Sequence, residues 1–125
     1  MGQQQLLLLI AGVIIVGIAI VVGVQLFSAQ STEANKDGLT SGIMAINADS
    51  YQFKIRPRTL GGGLPTYLNY AIPIKLQSDE NGAYSLTSVT AMQIQLHAVS
   101  SMNASWVADA TFDSTGKAII SYSGW

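Results

Sequence analysis

The chain has 125 residues, a net charge of −1, no cysteine and one histidine. These figures exclude disulfides, thiolate metal sites, cysteine nucleophiles and a lipid-modified cysteine, and no basic run is present to attract nucleic acid. Charged residues make up only 10% of the sequence, against about 25% in ordinary globular domains.

The apolar excess lies at the start. Residues 6–24 are apolar without a break, and the first charged side chain is Glu33. As a helix this run measures roughly 28 Å, close to the hydrocarbon thickness of a bilayer. It is apolar on every side, so it has to sit in lipid or among other apolar helices. Gly12, Gly17 and Gly23 punctuate it. In water each costs a helix about 1 kcal/mol against alanine, whereas between membrane helices small residues permit close approach. Ala19 and Gly23 form one small-xxx-small pair. The candidate helix-packing surface comprises Leu6, Leu9, Gly12, Val13, Val16, Gly17, Ile20, Gly23, Val24 and Phe27. A cleaved secretory signal is disfavoured: no Lys or Arg precedes the run, the run is long for such a signal, and Ala29-Gln30-Ser31 is a weak cleavage site. Leu6 stands where a myristoylation motif requires Ser or Thr.

Residues 28–35 are polar and free of proline, so the helix is expected to continue. Leu39, Ile43, Ile46, Ser50 and Phe53 then recur at helical spacing as a single stripe, with Thr40, Asn47, Ala48 and Lys54 opposite it. Gly38 and Gly42 are weak points where this helix is free to bend, and Pro57 ends it. One long helix over residues 3–56 is predicted, apolar in its first half and amphipathic in its second. A glycine-rich connector, Arg58-Thr59-Leu60-Gly61-Gly62-Gly63-Leu64-Pro65, follows.

Beyond the connector the period changes to two. Residues 67–77 read as a strand in which Ile72, Ile74 and Leu76 alternate, with Pro73 marking an edge or a bulge. A turn at Ser78-Asp79-Glu80-Asn81-Gly82 leads to a strand at 84–89. Met92, Ile94, Leu96 and Ala98 alternate in the next, and Trp106, Ala108, Ala110 and Phe112 in a fourth. Asp113-Ser114-Thr115-Gly116 is a hairpin turn, and Ala118, Ile120 and Tyr122 lie on a fifth strand. The expected fold class is α+β: a long N-terminal helix packed on a four- to five-stranded antiparallel sheet, whose apolar face the amphipathic half covers. The chain divides into an apolar segment, 1–32, and a globular part, 33–125. The globular part holds the amphipathic helix half (33–56), the connector (57–66) and the sheet (67–123).

Catalytic chemistry is scarce. His97 alternates with apolar residues on a strand and reads as a surface histidine; one His without Cys cannot build a zinc site. The pairs Asp79/Glu80 and Asp109/Asp113 sit in or beside turns, where solvated charge is the ordinary role. The run Asp79-Glu80-Asn81-Gly82 lacks the ligand count of a calcium loop. Gly61-Gly62-Gly63 has no following Lys-Ser/Thr and is no phosphate loop. Lys54, Arg56 and Arg58 gather where cations complement a helix C-terminus. Asn103-Ala104-Ser105 is a sequon, which makes Asn103 a candidate glycosylation site. No catalytic residue, metal ligand or cofactor site is assigned.

An uncharged apolar N-terminal helix, an amphipathic continuation, a glycine-rich loop and an antiparallel sheet together resemble a type IV pilin or a pilin-like filament subunit. The resemblance implies a lollipop-shaped structural protein without enzymatic activity. Its apolar half-helix would hold it in the cytoplasmic membrane before assembly, then form the core of an extracellular, cell-surface filament. Self (a homopolymer), the membrane and a pilus assembly machinery are the implied partners. It also implies a processing site between Gly2 and Gln3, since the family's peptidase cuts after a glycine. The sequence departs from the bacterial pattern in two respects. The leader has no basic residue, and Leu7 occupies the fifth mature position, where bacterial members carry a glutamate; archaeal members often lack that glutamate. The alternative reading is a single-pass membrane protein, or a minor pseudopilin, whose small β domain does not polymerise.

Overall fold

A computed structural model describes residues Gly2–Trp125. The elements in chain order are helix α1 (Gly2–Ile55), a 3-10 turn (Arg58–Leu60), a short helix α2 (Ile74–Gln77), and strands β1 (Gly82–Val89), β2 (Ile94–Ser100), β3 (Val107–Phe112) and β4 (Ala118–Ser123). Two compact units result, dividing between Ala34 and Asn35.

The first unit is helical throughout its described residues, and α1 runs without a break from Gly2 to Ile55. It contains no proline and, up to Glu33, no charge. Helix is the one conformation in which such a segment can satisfy its own backbone polar groups away from water.

In the second unit, residues 35–55 of α1 cover one face of a four-stranded antiparallel meander ordered β1-β2-β3-β4. Leu39, Ile43 and Ile46 are fully buried, and they share the core with Ile94, Leu96 and Phe112. Ala98 pairs with Ala108, and Leu96 with Ala110, at the centre of the sheet. These small side chains let the helix come near without leaving voids. Buried residues alternate along β2 with exposed Gln95 and half-buried His97 and Val99, as a sheet with one wetter face requires.

The predicted stripe is thus observed, with one correction. Asn47, read as lying opposite the stripe, is buried; its Nδ2 donates to the carbonyl of Gly116 at 2.8 Å. Asn35 extends the stripe one turn earlier. It is buried, donates to the carbonyl of Asn81 at 3.0 Å and accepts from the Ser100 hydroxyl.

Two further expectations are corrected. Residues 67–77 form no strand, so the sheet has four strands and begins at Gly82. Pro73 has no N–H to give a ladder. Asn69 adopts a left-handed φ of 70°, and a turn closes from the Tyr70 amide to the Tyr67 carbonyl at 3.0 Å. Tyr67, Tyr70 and Ile72 are buried as plugs of an irregular segment, while Ile74 is 86% exposed. The glycines at 38 and 42 do not interrupt α1. A Cβ at Gly42 would overlap the Tyr84 hydroxyl, and one at Gly38 would overlap the Asn81 side chain. Both sit where β1 or the turn before it passes close to the helix, and the helix does not bend there.

The hairpin turn falls where the sequence placed it. Asp113 Oδ1 accepts from the amides of Thr115 (2.9 Å) and Lys117 (2.8 Å), and Gly116 takes φ 84°. Hydrogen bonding from the Thr115 side chain, then from the Lys117 amide, lowers the Asp113 pKa.

Candidate functional site: the apolar surface of the first unit

Every residue from 2 to 30 is exposed on the isolated chain. The segment is long and apolar enough to cross a membrane. Its large side chains are bare: Leu9 is 66% exposed, Val13 72% and Phe27 71%. Exposed apolar patches on soluble monomers rarely exceed a few hundred Å². A helix bare on all sides over this length has to be covered.

At about 100° per residue, Leu6, Leu9, Val13, Val16, Ile20, Val24 and Phe27 fall within a stripe roughly 80° wide. They recur three or four residues apart, the spacing with which side chains of one helix enter the gaps of another. Gly17 borders this stripe on one side, and Gly12 and Gly23 on the other. No atom lies within 4 Å of a Cβ built at any of the three glycines. Gly12 opens a shallow groove of about 400 Å³ with Leu8, Leu9, Val13 and Val16. The residues expected to pack lie along one continuous exposed surface of α1. Gly2 and Gln3 lie in the first turn of α1. Met1, the start of the expected leader, lies outside the described residues.

The second unit offers little reactive chemistry. His97 Nδ1 lies 2.6 Å from Asp109 Oδ1, where the two residues pair directly across β2 and β3 on the open face of the sheet. Ser85 sits opposite His97 on β1, but its hydroxyl donates to the His97 carbonyl at 3.4 Å, not to the ring. A nucleophile held by its base is therefore not formed. Reading Asp109 beside Asp113 missed the cross-strand pairing with His97, which only the register reveals.

Asp79 organises its turn by accepting from the amides of Asn81 (2.8 Å) and Gly82 (3.0 Å), and Tyr84 donates to its other oxygen at 3.1 Å. Burial, then the charge of Asp79, pushes the Tyr84 pKa up. Burial likewise raises Tyr70, whose hydroxyl donates to Asp49 at 2.7 Å. Lys54 Nζ donates to the Ser114 carbonyl at 2.6 Å and so ties α1 to the hairpin turn. No group of three His, Asp or Glu side chains able to hold a metal occurs among the described residues.

The glycine-rich connector lines an open cleft of about 440 Å³ with Phe53, Arg58, Thr66, Leu68 and Asn69, in which Arg58 is the one charged side chain. Asn103 is exposed; its Oδ1 accepts from the Ser105 amide (3.0 Å) and hydroxyl (2.8 Å).

No protein family, curated protein or solved structure matches the chain.

Proposed function

We propose that the protein is the structural subunit of a type IV pilus-like extracellular filament. In this reading it resides in the cytoplasmic membrane through its apolar helix and then polymerises through that same surface. The observation that carries the proposal is the uniformly exposed, uncharged helix surface of residues 2–30, with a side-chain stripe and flanking glycines suited to helix packing. Lipid and neighbouring apolar helices are equivalent solvents for such a surface, so one segment serves both stages. Fully burying a Leu, Ile or Val side chain stabilises by roughly 1.5–3 kcal/mol, so removing the whole run from water is worth on the order of tens of kcal/mol. The paired, open-faced His97 and Asp109 fit a structural role better than a catalytic one.

A charge at the centre of the run tests this. Lys at a helix centre costs about 2.5–3.5 kcal/mol on insertion into a membrane, and it cannot be desolvated among packed apolar helices without a partner. Ile14→Lys is therefore expected to eliminate chain from the sheared, high-molecular-weight cell-surface fraction. Wild-type amounts of filament from this variant would overturn the buried-core assignment.

A further inference from the structure

The sheet of the second unit has two edges, and they are guarded differently. At one edge, β1 carries a bulge between Leu86 and Ser88, and Ser78 bridges to Ala83 from outside. At the other, β4 pairs with β3 over its whole length without a shift in register. Residues 118–125 contain no charge and no proline. Charge, proline and bulges are the devices that keep an edge strand from pairing with another chain, and β4 has none of them. The residues after β4 turn back toward β3: Gly124 takes φ 81°, and Trp125 Nε1 donates to the Val107 carbonyl at 2.9 Å.

The register fixes which backbone groups of β4 are free. In an antiparallel pair alternate residues exchange their hydrogen bonds, and those between turn N–H and C=O away. The Asp113 amide donates to the Lys117 carbonyl at 2.9 Å. Counting on from that pair, Ile119, Ser121 and Ser123 direct their backbone groups to β3, and Ala118, Ile120 and Tyr122 direct theirs outward. Among the described residues no hydrogen bond outside the strand ladder engages these three. Their side chains lie on the helix-covered face, where Ala118 and Ile120 pack against the core. Ile119 stands on the open face and is 65% exposed.

We propose that β4 pairs antiparallel with β4 of a second copy of this chain, about a two-fold axis at Ile120. An edge strand of this kind is a template for another strand, and a copy of itself fits it. With the axis at Ile120, Ala118 faces Tyr122 of the second copy, and all three outward residues of each strand exchange hydrogen bonds. Centring the pair on Ile119 or Ser121 would instead set Tyr122 against Gly116 or Ala118 against Gly124, both at positive φ outside the strand. No charge meets its own copy, because Lys117 falls opposite Ser123. The pairing is isologous, so it closes as a dimer and joins two four-stranded sheets into one. It lies within the second unit and does not depend on the filament reading.

Because the chain has no cysteine, single cysteines report on this contact alone. In the proposed register Ile119 lies opposite Ser121 of the second copy as a non-hydrogen-bonded pair, with Cα atoms about 4.5 Å apart, within disulfide reach. Two copies of Ile119, or of Ser121, lie diagonally at about 7–8 Å, beyond it. Full chains carrying Ile119→Cys and Ser121→Cys, with tags of different length, would be mixed in detergent and oxidised with copper–phenanthroline. The 119–121 product is expected several-fold in excess of either like pair. Ser85→Cys, exposed on β1, is expected to link to Ile119→Cys only at the level of the like pairs. A statistical mixture, an excess of like pairs, equal linkage to Ser85→Cys or no linked product would each overturn the β4 contact. The filament proposal would stand in every such case, since it rests on the first unit.

Discussion

At the level of single residues, glycine is read most sharply where the structure brings something against it. Gly42 sits mid-helix, where replacement by alanine ordinarily stabilises by about 1 kcal/mol. Here the added Cβ would overlap the hydroxyl of buried Tyr84, whose other constraint is the hydrogen bond to Asp79. Overpacking of this kind costs about 1–3 kcal/mol. Gly42→Ala is therefore expected to lower the thermal midpoint of the second unit, measured by circular dichroism on the detergent-solubilised chain. A rise in the midpoint would show that the close approach is dispensable. Gly12, Gly17 and Gly23 have open space around them, and in the proposed function they let a neighbouring helix approach closely.

At the level of elements, what the sequence disclosed follows the strength of its periodicity. The stripe Leu39, Ile43, Ile46, Ser50 specified its helix face, and the alternation Ile94, Leu96, Ala98 specified β2, because a single repeating period points to one buried face. The hairpin at Asp113 was legible because Asx and glycine chemistry demands a turn there. Residues 67–77 were misread because their apolar spacing imitates a strand, while Pro73 and the left-handed Asn69 rule one out locally. Asn35 and Asn47 were illegible as core residues because an amide is buried only when a partner awaits it, and their partners lie 46 and 69 residues away. The same holds for His97 and Asp109, whose pairing is a matter of register.

The irregular segment is held instead by tyrosines, and this gives a pH prediction. Tyr67, Tyr70 and Tyr84 all have pKa values raised above the ordinary 10.0, chiefly by burial and secondarily by carboxylates: Asp113, Asp49 and Asp79 respectively. A raised folded-state value means that the folded protein holds these protons more tightly. Their stabilisation is fully present below about pH 10 and is lost as pH rises through the folded values. Denaturation midpoints are expected to fall above pH 10, with the phenolate absorbance of these three rings appearing only as tertiary structure is lost. Ionisation of all five tyrosines as free phenols, with tertiary structure retained, would contradict the burial.

At the scale of the whole molecule, chemistry and surface point in different directions. In the folded second unit the apolar face of the sheet is covered by α1 and the turns are closed by Asp79 and Asp113, while Asn47 Oδ1 is buried without a hydrogen-bond partner among the described residues. The first unit satisfies only its backbone and leaves its side chains bare. In the proposed function this surface is covered by its surroundings, first lipid and then copies of the chain. The most direct measurement is to shear cells producing the chain, pellet the high-molecular-weight fraction and image it by negative stain, with the N-terminus of the pelleted chain sequenced. Thin, uniform filaments built of this chain are expected, and their first residue, Met1 or Gln3, decides whether the cut that the pilin resemblance implies is made. Chain confined to the membrane fraction, with no filament in the sheared material, would contradict it.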